Sequence, residues 1–476
     1  MPRRFSAPRG NGEVLADPGF DEVPALVEAN RRLLDRATFR IDGIPLNEIR
    51  REVRAEQPPE LKNGPLILGG HQPELSHPGV WVKHFAMSGL ARKLSGGALN
   101  LIVDNDTIKS TSVKLPAFRV EDPRSVTLES VPFDRLDGSV TFEEFEIRDR
   151  EMFESFPERL RALTEGWPFE PLALKRWPSL SDPTPDSWRF FELRGRLESN
   201  WACANIELAV RHMSRTEVFR RFAKHIVEDL PAFHESYNGA IREYRRVNRV
   251  RSRTHPAPEL QPFEAPFWVM TPAGRRPLFI RPGEPLPDQI RPRALTLTLF
   301  ARLILGDFFI HGIGGGKYDE VTDAIIRDYF GIEPPAYQVV SATLHLPLPG
   351  FPSTESDLEA ARRRVRDLQW NPQRNVLPPS SEDRFVLRLV ADRETLAASE
   401  PPLHDRTSRR EWYRKLADLN EQLRHYVWKQ VPPAKAKLSR VEAEMSANVV
   451  LQRRDYSWVL FPESTLRPFL QRFLDV

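Results

Sequence analysis

The chain has 476 residues, 40% hydrophobic and 28% charged, with 69 basic side chains (Lys and Arg) against 66 acidic ones and a net charge of +3. That length exceeds one simple core and predicts roughly two to four structural units of an ordinary soluble composition. Near-balanced charge gives no support to nucleic-acid binding, a single cysteine (Cys203) rules out an intrachain disulfide or a cysteine-rich metal site, and no apolar run reaches the roughly 20 residues a bilayer requires, because Arg302 and Asp307 interrupt the best candidate.

Met1-Pro2-Arg3-Arg4-Phe5 has two arginines with no apolar segment behind them, so the expectation is neither signal peptide nor anchor, and a cytoplasmic address. Residues 1–60 read as a helical leader: Asp21 to Arg36 has helical spacing, with Val23, Leu26, Ala29 and Leu33 on one stripe, and Pro58-Pro59 closes it. An α/β core is expected over 61–350. Leu66-Ile67-Leu68 is a short strand ending in Gly69-Gly70, Val80 to Leu94 has helical periodicity, and Leu99 to Val103 is a second strand ending in acid. This strand-helix-strand unit predicts parallel neighbours, with Gly70-His71 and Asp104-Asn105-Asp106 together at the carboxyl edge, where open α/β sheets bind ligands.

A helical insertion is predicted over about 143–255, broken by prolines, with Trp201-Ala202-Cys203-Ala204 as a packed helix around an inert thiol. Six arginines crowd Arg242 to Arg253; a solvated helix face or an acidic neighbour explains them better than phosphate contacts, since Tyr244 is the sole aromatic among them. β character returns at Phe267 to Met270 and Leu278 to Ile280. A helix (Ala294 to Leu305), a strand (Phe308 to His311), a glycine turn, a helix (Tyr318 to Phe330) and a strand (Tyr337 to Leu346) then follow. Within 351–476, apolar residues recur at helical spacing: Leu358, Ala361, Val365 and Leu368; Trp412, Leu416, Leu419, Leu423 and Tyr426; Leu438, Val441 and Met445. They seal either a helical hairpin bent at Pro432-Pro433 or a dimer between chains.

Three clusters carry candidate chemistry. His71, in the Gly69-Gly70-His71-Gln72-Pro73 loop, is the best general acid/base; its alternative role is to shape the turn by hydrogen bonding. Asp104 and Asp106 lie two residues apart at a strand end, so in an extended chain they point to one side and can share a metal or orient a substrate amine; alternatively one caps the turn while the other is solvated. In His311-Gly312-Ile313-Gly314-Gly315-Gly316-Lys317-Tyr318, glycines free to take positive φ expose amides to an anion, the following helix aims its positive end at it, and Lys317 adds charge; the competing explanation is close strand-helix packing. The stretch is neither a Walker loop nor a dinucleotide fingerprint, and no dedicated metal-ligand pattern occurs.

These residues resemble the bacillithiol biosynthesis cysteine-adding enzyme family. From Arg291 to Leu346, the spacing of Leu299-Phe300, Phe309-Ile310, Gly312, Gly314, Tyr318, Phe330-Gly331, Pro335 and Leu344 is similar to the family's segment around its Gly-Pro-Gly-Glu turn. Gly70-His71-Gln72-Pro73-Glu74-Leu75 resembles its glycine-glutamine-rich loop, and Val103-Asp104-Asn105-Asp106 its Asp-His-Asp strand end. The resemblance implies a Rossmann-like, mostly parallel sheet core that binds a nucleotide (ADP or ATP), with a helical insertion and a C-terminal coiled coil through which two chains pair. It implies a ligase-like activity joining cysteine to a glucosamine malate acceptor, a small anionic substrate. The positions carried over are Gly70, Gln72, Asp104, Asp106, Gly312, Gly314 and Tyr318. His71 stands where the family has glutamine, Asn105 where it has histidine and Gly315 where it has glutamate, which points to a changed substrate or lost catalysis. Expected roles are catalysis by His71, Asp104, Asp106 and Tyr318, and ligand binding by Gly70, Gln72, Gly312, Gly314, Gly315, Gly316 and Lys317. The alternatives are a nucleotidyltransferase-like enzyme, against which the missing His-x-Gly-His spacing counts, and a non-catalytic binding or scaffold protein.

Overall fold

The computed structural model describes residues 5–119, 122–378 and 380–476; the Met1–Arg4 stretch read for a leader signal lies outside them. The chain divides into one unit of Met1–Leu115, Ser130–Pro347 and Arg454–Val476 and a second of Pro116–Glu129 and Leu348–Arg453.

The first unit is built on a six-stranded sheet. In chain order its strands are β1 (Val14–Asp17), β2 (Leu66–His71), β3 (Gly97–Ile102), β4 (Ile206–Ala209), β5 (Phe308–His311) and β6 (Tyr337–Ala342), and across the sheet they run β1-β6-β5-β2-β3-β4. β1 is antiparallel to β6; the other pairs are parallel. The chain therefore winds outward through β2, β3 and β4, returns to the other side of β2, and continues through β5 and β6. That reversal leaves a crevice at the carboxyl ends of β2 and β5, which pair in register from Phe308 opposite Ile67 to Ile310 opposite Gly69.

Continuous apolar runs make β2 and β5 central strands, buried on both faces. Helix α1 (Pro78–Lys93) crosses from β2 to β3 and is buried on nearly every side, as its lack of a polar face requires. Gly79 in its first turn permits close approach to β6, since a Cβ there would lie 2.0 Å from Ala342 O. The Trp81 ring packs between those of Trp201 and Trp458, at 5.3 and 4.9 Å between centroids. Helix α2 (Arg189–Asn200) precedes β4, α3 (Ala294–Phe300) precedes β5, and α4 (Ile313–Asp328) connects β5 to β6. A separate three-stranded antiparallel sheet comprises Glu264–Thr271, Gly274–Phe279 and Ile290–Pro292.

Several expectations change. The leader is no separate element: β1 joins the central sheet, and the helix Val23–Asp35 buries Val23, Val27, Asn30 and Leu34 instead of Val23, Leu26, Ala29 and Leu33. Asn30 rotates that stripe because its amide serves Asp307 O at 2.9 Å and Ala336 O at 2.8 Å. The region read as a helical insertion supplies β4, a strand too short to show a period. Cys203 lies beyond the end of α2, after Ala202 at φ +62°, and burial raises its thiol pKa. Arg242 and Arg245 both reach Glu259, the acidic neighbour anticipated for the arginine run. Arg454–Val476 belongs with the first unit.

In the second unit, the helices Glu355–Trp370, Arg384–Ala398, Arg406–Val427 and Val431–Leu451 cover their own apolar stripes, burying Leu358, Ala361, Leu368, Leu423 and Val441. Pro432 and Pro433 stand in the first turn of the last helix, where a missing N–H costs nothing, just after the turn Trp428–Gln430. No described helix is long and apolar enough to cross a membrane.

Candidate active site

The crevice between β2 and β5 opens into a cleft of about 800 Å3, within the size range of small-molecule sites. The ends of both strands, the first turns of α1 and α4, Asn105 to Thr107, and Trp268 and Arg275 from the three-stranded sheet line it. The loop after β2 and the glycine segment after β5 thus meet, as the strand-end reading requires.

The glycine segment is a helix start. Gly312 is the N-cap, in extended conformation at φ −83°, Gly314 to Gly316 lie within α4, and none of these glycines has a positive φ. Packing explains two of them: a Cβ on Gly315 would come 2.7 Å from His311 Nδ1, and one on Gly316 would come 2.3 Å from Val339 Cγ2. A Cβ on Gly314 would meet no group beyond its own helix within 4 Å, and the nearest group to a Cβ on Gly312 would be Lys83 Nζ at 3.8 Å, so these two leave open space. No side chain caps the helix, and Gly316 N is the first to bond back, to Gly312 O. The amides of Ile313, Gly314 and Gly315 therefore have no intrahelical acceptor. Gly312, Gly314, Gly315 and Tyr318 line the cleft, but Gly316 faces β6 and Lys317 is absent from the lining.

The lysine that does reach the cleft is Lys83 on α1, which the sequence did not single out. It is 4% exposed, and its Nζ donates to Gly70 O at 3.4 Å. Burial brings its ammonium down to about 8, with Glu74 opposing. His71 stands nearby with Nδ1 3.1 Å from Gln72 O. Since a carbonyl only accepts, the proton sits on Nδ1 and leaves Nε2 basic. Burial and then Lys83 hold His71 down to about 3, so it is neutral at pH 7 and its Nε2 can accept a hydrogen bond. His77, the N-cap of α1, also lines the cleft, and burial and Arg454 bring it down to about 4.

The two aspartates part company. Gln72 Nε2 donates to Asp106 Oδ2 at 2.9 Å, and Arg275 donates to Asp106 Oδ1 at 3.2 Å, so Asp106 belongs to the cleft wall. Asp104 instead accepts from Arg211 N at 3.0 Å and faces a separate pocket with Trp188 and Phe191. Burial raises its carboxyl to about 6. β3 ends at Ile102 and the chain turns there, so the same-side geometry of an extended strand does not apply and the two carboxylates line different pockets.

His311 and Asp319 also line the cleft, His311 Nε2 lying 2.6 Å from Asp319 Oδ2, which Arg302 also binds at 2.7 Å. Burial pushes the Asp319 carboxyl up, but Arg302 and His311 outweigh it and hold the group below the usual range. Arg302, from the π-helical extension of α3, also bonds Pro335 O and Asp323, tying α3 to α4. Tyr318 packs its ring 5.5 Å from that of His255.

Among the described residues, one grouping has metal-ligand types together: His84, Glu198 and Glu207. Arg194 lies between the carboxylates, donating to Glu198 Oε1 at 2.7 Å and Glu207 Oε1 at 2.5 Å. A guanidinium already fills the cation position.

No family model matches the chain, and no curated protein matches it in sequence. Six solved chains match in structure. One is a tyrosyl-tRNA synthetase from Archaeoglobus fulgidus complexed with L-tyrosine, 12% identical, covering 88% of this chain and 99% of that one at a TM-score of 0.24. At that score the likeness carries no argument about chemistry.

Proposed function

We propose that the protein is a ligase-like enzyme that joins an amino acid or amine to a small anionic acceptor in this cleft, with ADP or ATP as nucleotide, as its resemblance to the cysteine-adding family suggests. One observation carries the reading: a neutral imidazole with a free Nε2 and the open N-terminus of α4 share one ligand-sized cleft. Forming an amide requires an amine to lose a proton, which His71 can take, and a carboxyl oxygen to gain negative charge, which the α4 amides can hold. ATP, if bound there, would supply the phosphate or AMP that leaves the carboxyl carbon as the amine nitrogen bonds to it. The open space beside Gly312 and Gly314 would take its phosphates, while Gln72, Asp106 and Arg275, bonded to one another, line the same cleft. Gly315, where the family carries glutamate, has no room for a side chain beside His311, so that departure is built into the packing.

The test incubates the full chain with cysteine, a malate-linked amino sugar and ATP or ADP, and follows condensation by mass spectrometry. His71→Ala is expected to lower turnover 10²- to 10⁴-fold with unchanged ligand affinity. Equal losses in binding and turnover, or no product with any amine, would move the assignment to a binding protein.

A further inference from the structure

Lys83 is buried among groups that do not neutralise it. Its ammonium has three donors, and the structure gives it one acceptor, Gly70 O at 3.4 Å. Among the described residues no carboxylate lies within ion-pair distance; Glu74, the nearest to act on it, does so through space. A Cβ built on Gly312, the N-cap of α4, would lie 3.8 Å from Lys83 Nζ, and there the helix presents roughly half a positive charge and three amides without an intrahelical acceptor. Two positive ends therefore converge across space that Gly312 and Gly314 leave open. Like charges brought together out of water repel unless something negative lies between them.

We infer that the Lys83 ammonium and the first amides of α4 form one oxyanion seat, which takes a carboxylate or phosphate group of the ligand. The seat rests on the reading of this cleft as a ligand site, but not on any reaction occurring there. Its position couples binding to chemistry: an anion on Lys83 counters the positive charge that holds His71 down, and so raises the basicity of Nε2.

The experiment titrates the full chain with inorganic phosphate and, separately, malate at constant ionic strength, with chloride as the control, reading the melting temperature. Saturable stabilisation is expected in the wild type. Lys83→Met should weaken that affinity at least tenfold, Lys83→Arg should retain part of it, and Gly314→Val, whose side chain projects into the open space, should abolish it. If Lys83→Met does not fold, the wild type is acylated with acetic anhydride and Lys83 labelling is followed by mass spectrometry; phosphate or malate should slow it. Protection by phosphate alone identifies a phosphorylated ligand, by malate alone a carboxylate, and by both the shared seat. Equal affinity in Lys83→Met and wild type, or labelling indifferent to both anions, overturns the inference. Anion binding that persists while no condensation product forms leaves the seat standing and removes the ligase reading.

Discussion

Lys83 and His84 are neighbours on α1, both buried, yet their surroundings differ completely. His84 Nδ1 sits 2.8 Å from both Glu198 Oε1 and Arg194, in a cluster where Arg194 binds two carboxylates, Trp81 and His84 crowd Glu198, and Asn100 donates to Glu207. Every charge there has a counter-charge within bonding distance. One residue earlier, the helix turns a cation into a cleft with a single long bond to a carbonyl. A closed network of this kind holds a fold together, whereas a charge left open at a strand crossover is a cost that folding alone does not require.

Breaking the closed cluster should have the largest effect. Arg194→Met leaves Glu198 and Glu207 buried without their partner and is expected to destabilise by about 3–5 kcal/mol in urea unfolding. A loss below about 1 kcal/mol would mean the cluster is not the closed network described.

The open side should respond in the opposite direction. Lys83 titrates at about 8 in the folded chain against an ordinary 10.5, so its burial penalty is fully present below pH 8 and is relieved as pH rises towards 10.5. Lys83→Met should therefore stabilise the ligand-free protein by about 2 kcal/mol at pH 7, with the gain shrinking above pH 8. Destabilisation at pH 7 would contradict the picture of an unneutralised charge.

Asp104 and Asp106 sharpen the contrast on a smaller scale. Burial raises Asp104 to about 6 from an ordinary 3.8, so it penalises the folded state increasingly as pH rises between those values, and the penalty persists above them. Asp104→Asn, which can still accept from Arg211 N, should be stabilising by roughly 1–2 kcal/mol at pH 7 and absent from any effect on ligand binding. Asp106→Asn, by loosening Gln72 and Arg275, should weaken binding severalfold without raising stability. Identical effects of the two substitutions would place both aspartates in one site after all.

The surface supplies the small end of the scale. Arg246 pairs with Glu243 in solvent, three residues apart on one helix. Arg246→Ala should leave the melting temperature unchanged within error.

Much of the core was legible because β2 and β5 are continuous apolar runs next to helical segments, but the meeting of the His71 loop with the glycine segment was not, since it depends on β5 pairing with β2 across the sheet. β1 and β4 were not, since four residues carry no measurable period and Glu207 in β4 reads as polar until its pairing with Arg194 and Asn100 is seen. The glycines drew attention for a freedom they do not use; two are small because a histidine and a valine occupy the space. Lys317 stood beside them in sequence and looked like the cation, whereas Lys83 was hidden on a helix whose burial on all sides is a tertiary fact. The aspartates were misjudged by extending strand geometry beyond Ile102.

The return of Arg454–Val476 to the first unit has a consequence for how the protein is made. α1 emerges early in synthesis, but the ring of Trp458 that packs on Trp81, and Phe473 O, to which a Cβ on Gly89 would come within 2.4 Å, are translated more than 350 residues later. Until then a helix with almost no polar face has an uncovered side, so the nascent chain should depend on chaperone shielding through most of its translation, and ribosomal stalling upstream of Trp458 should yield aggregates in place of a shorter folded protein.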